Sequence, residues 1–173
     1  EKPFLNLFKI NDLSYSYIGL NLNNTFLQEP KVRQAIAHAI NKDKLISNVY
    51  KGYAQPAHIP ASPVHWAYPT EQTFPIFEYS PDTSKQLLEE SGYVLNTSSG
   101  YYEKKGQPIE LTLITSKGSK NSEALAQITQ QYLKTVGIKL TIQLLEWQTF
   151  LKKLYEHEGP NAFELCLLSW SLS

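Results

Sequence analysis

The sequence predicts an α/β fold in which a mixed, mostly parallel sheet is flanked by helices. Strand and helix patterns alternate across short connections in the last third of the chain, at 109–115, 122–136, 138–145, 147–156 and 163–170. Such alternation is typical of parallel strands joined by right-handed helical crossovers. A separate strand pattern at 15–22 precedes all of the helices, and we expect it to join the sheet as an antiparallel strand.

Two helices are predicted soon after this first strand. Pro30 suits the first turn of a helix, and the residues of its buried face follow at helical spacing: Val32, Ala35, Ile36, Ala39 and Ile40. Asn41 is a suitable N-cap for a second, shorter helix over residues 42–50. Gly52 is predicted to end that helix.

The middle of the chain is less regular. Residues 54–80 contain five of the ten prolines and little periodicity, which predicts an irregular surface segment. A connection of this length without regular structure is often functional. A helix is predicted to begin at Ser80-Pro81-Asp82 and to end at Gly92. Residues 101–103 and 109–115 flank a Lys-Lys-Gly turn, which predicts a β-hairpin.

Composition limits the classes of function. The 16 Lys and Arg residues balance the 16 Asp and Glu residues, so no net charge attracts nucleic acid or an anionic membrane. No apolar run approaches the roughly 18 residues of a membrane-spanning helix. The chain opens on Glu1 and contains no methionine, and we expect it to be a processed or excised piece of a longer product.

Side chains that catalyse reactions or bind metals are not grouped in the sequence. The four histidines, His38, His58, His65 and His157, lie far apart without a neighbouring ligand set. There is no Gly-rich phosphate loop and no Gly-x-Ser-x-Gly nucleophile motif. The single cysteine, Cys166, lies in an apolar strand pattern, where a thiol behaves as a small hydrophobic group. We therefore expect no enzyme activity, no metal and no cofactor.

The most distinctive run in the sequence is Val32-Arg33-Gln34-Ala35-Ile36-Ala37-His38-Ala39-Ile40-Asn41-Lys42. Further motifs follow in order: Gly52-Tyr53-Ala54, Tyr79-Ser80-Pro81-Asp82, Val136-Gly137-Ile138, Glu146-Trp147 with Phe150, and Leu168-Ser169-Trp170. Together they resemble the family 5 extracytoplasmic solute-binding proteins, which are the oligopeptide, dipeptide and nickel binders of ABC importers. The resemblance runs from about residue 15 to the end of the chain.

This resemblance implies a periplasmic-binding-protein-like type II lobe. Residues 1–173 would form the second, inserted lobe of a larger two-lobed protein, with 54–80 as an irregular segment within it. The two lobes would close on a peptide or another small solute and present it to an ABC permease in the membrane. The parent protein is then expected in the periplasm, or outside the cell and membrane-anchored.

By the same resemblance, Trp147 and Trp170 face the ligand cleft, and Tyr15 and Tyr17 on the first strand are further candidates. Peptide binders of the family carry an acidic residue shortly after the tryptophan of the last strand, where it holds the peptide ammonium group. Here the tryptophan is followed by Ser171-Leu172-Ser173. The class of solute is therefore left open.

Two other functions fit the same pattern. The lobe could sense a solute for a transcriptional regulator, in which case a helix-turn-helix domain would precede it. It could also be the scaffold of a hydrolase whose paired carboxylates come together only in the fold. For a two-lobed binder, we expect a lone lobe to bind peptides weakly or not at all, because the closed state depends on contacts from both lobes.

Overall fold

The computed structural model describes residues 4, 6, 8, 10, 12–156 and 163–171, so His157 lies outside the described residues. Strands and helices follow one another in the order β1 (Ser14–Leu20), α1 (Thr25–Gln28), α2 (Pro30–Ala39), α3 (Lys42–Tyr50), α4 (Pro81–Glu90), β2 (Val94–Asn96), β3 (Tyr101–Lys104), β4 (Gln107–Pro108), β5 (Glu110–Ser116), α5 (Lys120–Thr135), β6 (Lys139–Leu145), α6 (Trp147–Tyr155) and β7 (Leu165–Ser171).

The main sheet has the strand order β1-β7-β5-β6. Strand β5 pairs in parallel with both β6 and β7, whereas β1 pairs antiparallel with β7. The expected α/β architecture is therefore confirmed, including the antiparallel first strand. Because β5, β6 and β7 are parallel, their carboxyl ends meet at one edge of the sheet, and β1 begins at that same edge.

The two faces of this sheet are covered unequally. One face carries the large core, in which Leu111, Leu113 and Leu140 pack against helices α2 and α5 through buried residues such as Ala35 and Leu133. The opposite face carries a small cluster of Ile114, Phe150 and Cys166, which packs under helix α6. The alternation of side chains along each strand separates these two sets.

The predicted helix starts are confirmed by their caps. The Asn41 side chain accepts a hydrogen bond of 2.9 Å from the Lys44 amide, and the Ser80 hydroxyl accepts one from the Thr83 amide. Each bond satisfies a backbone donor that the first turn of a helix leaves unpaired. Helix α5 begins two residues earlier than predicted, since Ser119 caps it.

The predicted hairpin is wrong in its second strand. Strand β3 turns back through Gly106 to pair with the two residues of β4, whereas residues 110–116 form β5 at the centre of the main sheet. The reason is burial: Leu111, Leu113 and Ile114 are fully buried between the two faces. A strand covered on both sides is more stable in the sheet than in an exposed hairpin.

The proline-rich segment, residues 54–80, contains no helix or strand, as predicted. Its first part is held by Lys42, whose ammonium group lies 3.2 Å from the Ala57 carbonyl oxygen and 3.3 Å from Nδ1 of His58. An ammonium group can only donate, so Nδ1 accepts and the His58 ring is neutral in this contact. Burial, and next the charge of Lys42, lower the pKa of His58.

We expect this contact to make stability depend on pH. The unfolded chain binds the His58 proton near the ordinary value of 6.5, whereas the folded chain resists it, so the free energy of unfolding should fall as pH drops below that value. Glu78 and Asp43 oppose the shift but do not reverse it. Urea unfolding between pH 7.5 and 5.5 measures the slope.

The matched variant is His58→Gln, whose side-chain oxygen can still accept from Lys42 but does not titrate. It should lose less stability than the wild type over the same pH interval. Equal losses in the two proteins would show that His58 does not contribute to the pH dependence.

Candidate functional site

The carboxyl edge of the main sheet is where the predicted ligand residues lie. Strands β5, β6 and β7 end there and β1 begins there. In open α/β sheets, ligands bind outside the carboxyl ends of the parallel strands, because the connecting loops diverge there and leave a crevice. This edge is therefore the candidate site.

Tyr15 and Trp170 are direct cross-strand partners at this edge. The register pairs Tyr15 with Trp170 and, two residues further along, Tyr17 with Leu168. Leu168 packs against the cluster under α6, and residues two apart in a strand share a face. Trp170, Tyr15 and Tyr17 therefore all project on the α6 side of the sheet, and the two tyrosine rings lie 5.8 Å apart.

Trp147 reaches the same edge from a different element. It is the first residue of α6, which begins two residues after β6 ends. Its ring lies 5.7 Å from that of Phe150, which is fully buried under the helix. Trp147 is 50% exposed and Trp170 is 54% exposed. Each indole is thus held by packing on one side and leaves about half of its surface for a ligand.

Helix α6 covers only part of this face. The cluster beneath it includes residues of β5, β6 and β7 but none of β1. The β1 side of the face is occupied instead by Tyr15 and Tyr17, next to Gly19. A Cβ atom on Gly19 would lie 2.7 Å from Sγ of Cys166, so a larger residue here would force the buried Cys166 side chain to move.

The charges that flank the aromatic residues in sequence are paired. Lys117 and Glu146, which follow β5 and β6, lie 3.3 Å apart. Asp12, just before β1, accepts hydrogen bonds from the Ser14 hydroxyl and the Leu13 amide, and these bonds lower its pKa. Lys117 and Glu146 thus neutralise each other, whereas Asp12 keeps its negative charge.

Neither Tyr17 nor Cys166 has the lowered pKa that an acid–base catalyst or a nucleophile needs at neutral pH. Burial raises the pKa of the Tyr17 hydroxyl, with smaller contributions from Cys166 and Tyr15. Burial also raises the pKa of the Cys166 thiol. A thiol in this state is protonated at neutral pH and is a poor nucleophile.

A polar contact on the opposite face supports the Tyr15–Trp170 pair. Ser16 and Ser169 are adjacent cross-strand partners, and their hydroxyl oxygens lie 2.7 Å apart. The Ser16 oxygen also lies 3.1 Å from the hydroxyl of Tyr50 at the end of α3. Sequence reasoning missed these serines and Gly19. Gly19 did carry a signal, since a glycine inside a strand often marks a close approach of two backbones.

A second concave feature lies elsewhere. An open groove of about 410 Å³ runs between α5 and the edge strand β6. Its lining consists of Glu123, Gln127, Gln130, Thr141, Ile142 and Leu144. None of the four predicted ligand residues contributes to it. Among the described residues, no group of three His, Cys, Asp or Glu side chains is placed to hold a metal ion.

The whole chain, residues 1–173, matches the family described as bacterial extracellular solute-binding proteins, family 5 Middle. The chain belongs to this family. Among its relatives is the oligopeptide-binding protein AppA of Bacillus subtilis strain 168. The two are 36% identical over 175 residues, which cover 99% of this chain and 32% of AppA.

Solved structures of the family share the fold. AppA from Bacillus subtilis in complex with a nonapeptide superposes with a TM-score of 0.85 at 35% identity, over 94% of this chain and 32% of that protein. Lactococcal OppA, complexed with an endogenous peptide in the closed conformation, gives a TM-score of 0.82 at 27% identity, over 94% and 33% of the two chains. This chain therefore spans about a third of the proteins that it matches.

The family consists of extracytoplasmic binding proteins that serve transport. Within the part of this chain that the structure describes, no helix is both long and apolar enough to cross a bilayer. The fold brings Trp147, Trp170, Tyr15 and Tyr17 to one edge of the sheet. That these four residues contact a ligand stays a prediction.

Proposed function

We propose that this chain is one lobe of a two-lobed extracytoplasmic peptide-binding protein, and that the carboxyl edge of its sheet forms half of the ligand cleft. The observation that carries the proposal is the pairing of Tyr15 with Trp170 on the α6 face. Half-exposed aromatic rings held in place by packing are suited to contacting a ligand.

The chemistry of the edge favours peptides of varied sequence. Aromatic rings provide contact area that does not depend on a particular side chain, and tyrosine hydroxyl groups add adaptable hydrogen bonds. Of the charges that flank these rings in sequence, Lys117 and Glu146 form an ion pair, and Asp12 is hydrogen-bonded to neutral groups. The aromatic contacts of this lobe would thus hold the peptide without requiring a particular side chain, which agrees with the oligopeptide-binding relatives.

The remaining parts of the proposal concern the whole protein. Residues 1–173 would be the inserted second lobe, and the rest of the parent chain would supply the first. Peptide contacts to both lobes would stabilise the closed state over the open one. The closed protein would deliver its peptide to an ABC permease, from the periplasm or from a membrane anchor outside the cell.

We further propose that the protein holds its solute without transforming it. Cys166, near the amino end of β7, is protonated, since burial raises its pKa. The tyrosine hydroxyl beside it is also kept neutral, because burial raises the pKa of Tyr17. Neither group can serve as a general base at neutral pH.

Calorimetry of the full-length protein and of the isolated 173-residue chain tests the proposal, with a nonapeptide and a dipeptide as ligands. The full-length protein should bind at least one of them, whereas the isolated chain should bind both weakly or not at all. Circular dichroism of the isolated chain checks that it is folded. Submicromolar binding by the isolated chain would contradict the two-lobe proposal, and an inert full-length protein would contradict peptide binding.

A further inference from the structure

The proline-rich segment presents an indole that the candidate site does not use. Trp66 is 91% exposed and its neighbour Val64 is 48% exposed. The Trp66 ring lies 5.5 Å from the ring of His65, its neighbour in the same segment. Exposed apolar groups of this size commonly mark interaction surfaces, and tryptophan is enriched among the residues that contribute most to binding.

The segment that carries this indole is attached next to the candidate site. Ser62, which is 4% exposed, donates a hydrogen bond of 2.9 Å from its hydroxyl to the Asp12 carbonyl oxygen. Asp12 lies two residues before β1, at the edge where β1 begins. Two tight turns follow Ser62, with the His65 amide bonded to the Ser62 carbonyl and the Tyr68 amide bonded to the His65 carbonyl. Trp66 therefore follows by four residues the point at which the segment is attached to Asp12.

The segment is also anchored at its far end. The Glu78 carbonyl oxygen lies 2.6 Å from Nδ1 of His38, and the Ser80 amide donates to the His38 carbonyl at 2.9 Å. With the Lys42 contact at the start and Ser62 in the middle, three attachments hold a chain that is rich in proline. A surface ordered in advance loses little conformational entropy when it docks.

The charged residues of the proline-rich segment limit the kind of partner that can bind there. Between Gly52 and Ser84 the sequence contains no Lys or Arg, but it contains three acidic residues, Glu71, Glu78 and Asp82. Phosphate-bearing partners such as nucleic acid or anionic lipid are therefore disfavoured. The surface fits an apolar protein surface that is neutral or basic at its rim.

We infer that Trp66 and Val64 form a closing contact, which docks on the other lobe of the same protein when the cleft closes. The inference rests on the proposed function. The described chain spans 33% of lactococcal OppA, a similar structure in a closed, peptide-bound conformation. In a closed clamp, the surface opposite the edge of one lobe is the other lobe, and the segment that carries Trp66 is attached at that edge through Ser62.

The test compares the full-length protein with its Trp66→Ala variant, using calorimetry with several peptides and the interlobe distance from fluorescence energy transfer. Trp66→Ala should lower affinity about tenfold, because truncating an interfacial tryptophan removes much binding energy. The factor should be the same for every peptide, since the contact lies between lobes. The variant should also leave the melting temperature unchanged, because Trp66 is exposed.

Tyr53→Ala is the matched control. Tyr53 is 71% exposed and lies before the first anchor of the segment, so its removal should alter neither affinity nor the interlobe distance. Unchanged affinity and distance in Trp66→Ala would overturn the inference. A loss confined to longer peptides would also overturn it, because it would assign Trp66 to the ligand.

Failure of the closing contact can be distinguished from failure of the proposed peptide binding. If the wild-type protein binds none of the peptides, peptide binding fails, and the lobe contact is tested by single-molecule energy transfer, which detects the minor closed state of the ligand-free protein. Trp66→Ala should then lower the fraction of closed molecules, and an unchanged fraction would overturn the closing contact.

Discussion

Trp170→Ala in the full-length protein is expected to weaken peptide binding about 30-fold or more, the loss typical of a tryptophan at the centre of an interface. The indole is 54% exposed and is held by its cross-strand partner Tyr15. Closure of the cleft would bury the exposed half against the peptide. Calorimetry with the peptide that binds most tightly to the wild type measures the loss.

The melting temperature distinguishes a direct loss of peptide binding from unfolding of the variant. Because Trp170 belongs to neither core cluster, the melting temperature of Trp170→Ala should stay close to that of the wild type. Tyr155→Ala is a suitable control, since Tyr155 is 80% exposed at the last position of α6. It should bind peptide like the wild type. If Trp170→Ala bound the peptide as tightly as the wild type, the carboxyl edge would not be part of the ligand site.

Phe150→Ala should be the most destabilising of these substitutions, lowering the free energy of unfolding by about 3–5 kcal/mol. Phe150 is fully buried and forms the small cluster with Ile114 and Cys166 that holds α6 on the sheet. Its loss leaves a cavity that so small a cluster cannot refill. Urea unfolding of the chain, followed by circular dichroism, measures the change.

The same substitution should disturb the site. The Trp147 ring lies 5.7 Å from the ring that is removed, so loosening α6 also releases Trp147 from its position. Trp147→Ala is the control, because its half-exposed indole contributes less to the core and its loss should cost about 1 kcal/mol or less. If Phe150→Ala and Trp147→Ala were equally stable, the small cluster would not be what holds the helix.

The architecture was predictable because its signals are local. Asn41 and Ser80 sit at helix starts and bond the first free amides. The spacing of Val32, Ala35 and Ile36 predicts a buried helix face, and all three are buried. Residues 110–116 show the limit of such signals, since the local turn predicts a hairpin while burial on both faces places the strand in the main sheet.

The candidate residues were named from the sequence, but their arrangement was not. Trp147 and Trp170 were identified by their motifs, yet their common edge depends on a parallel sheet that brings together strands far apart in the chain. The contact of Ser16 with Ser169 joins residues 153 positions apart. The middle of the proline-rich segment is attached to Asp12 by a hydrogen bond from Ser62, 50 positions away. Long-range contacts of this kind leave no pattern in the neighbouring sequence.

By itself, the sequence determined the fold class, most of the helix starts, the family and the aromatic residues that are proposed as ligand contacts. These depend on periodicity, capping residues and ordered motifs, each of which acts over a few positions. Only the tertiary structure decided which residues share the carboxyl edge, which face of the sheet α6 leaves open, and where the proline-rich segment presents Trp66. Those outcomes depend on strand register and on packing between distant segments, because burial of apolar surface is a property of the whole fold.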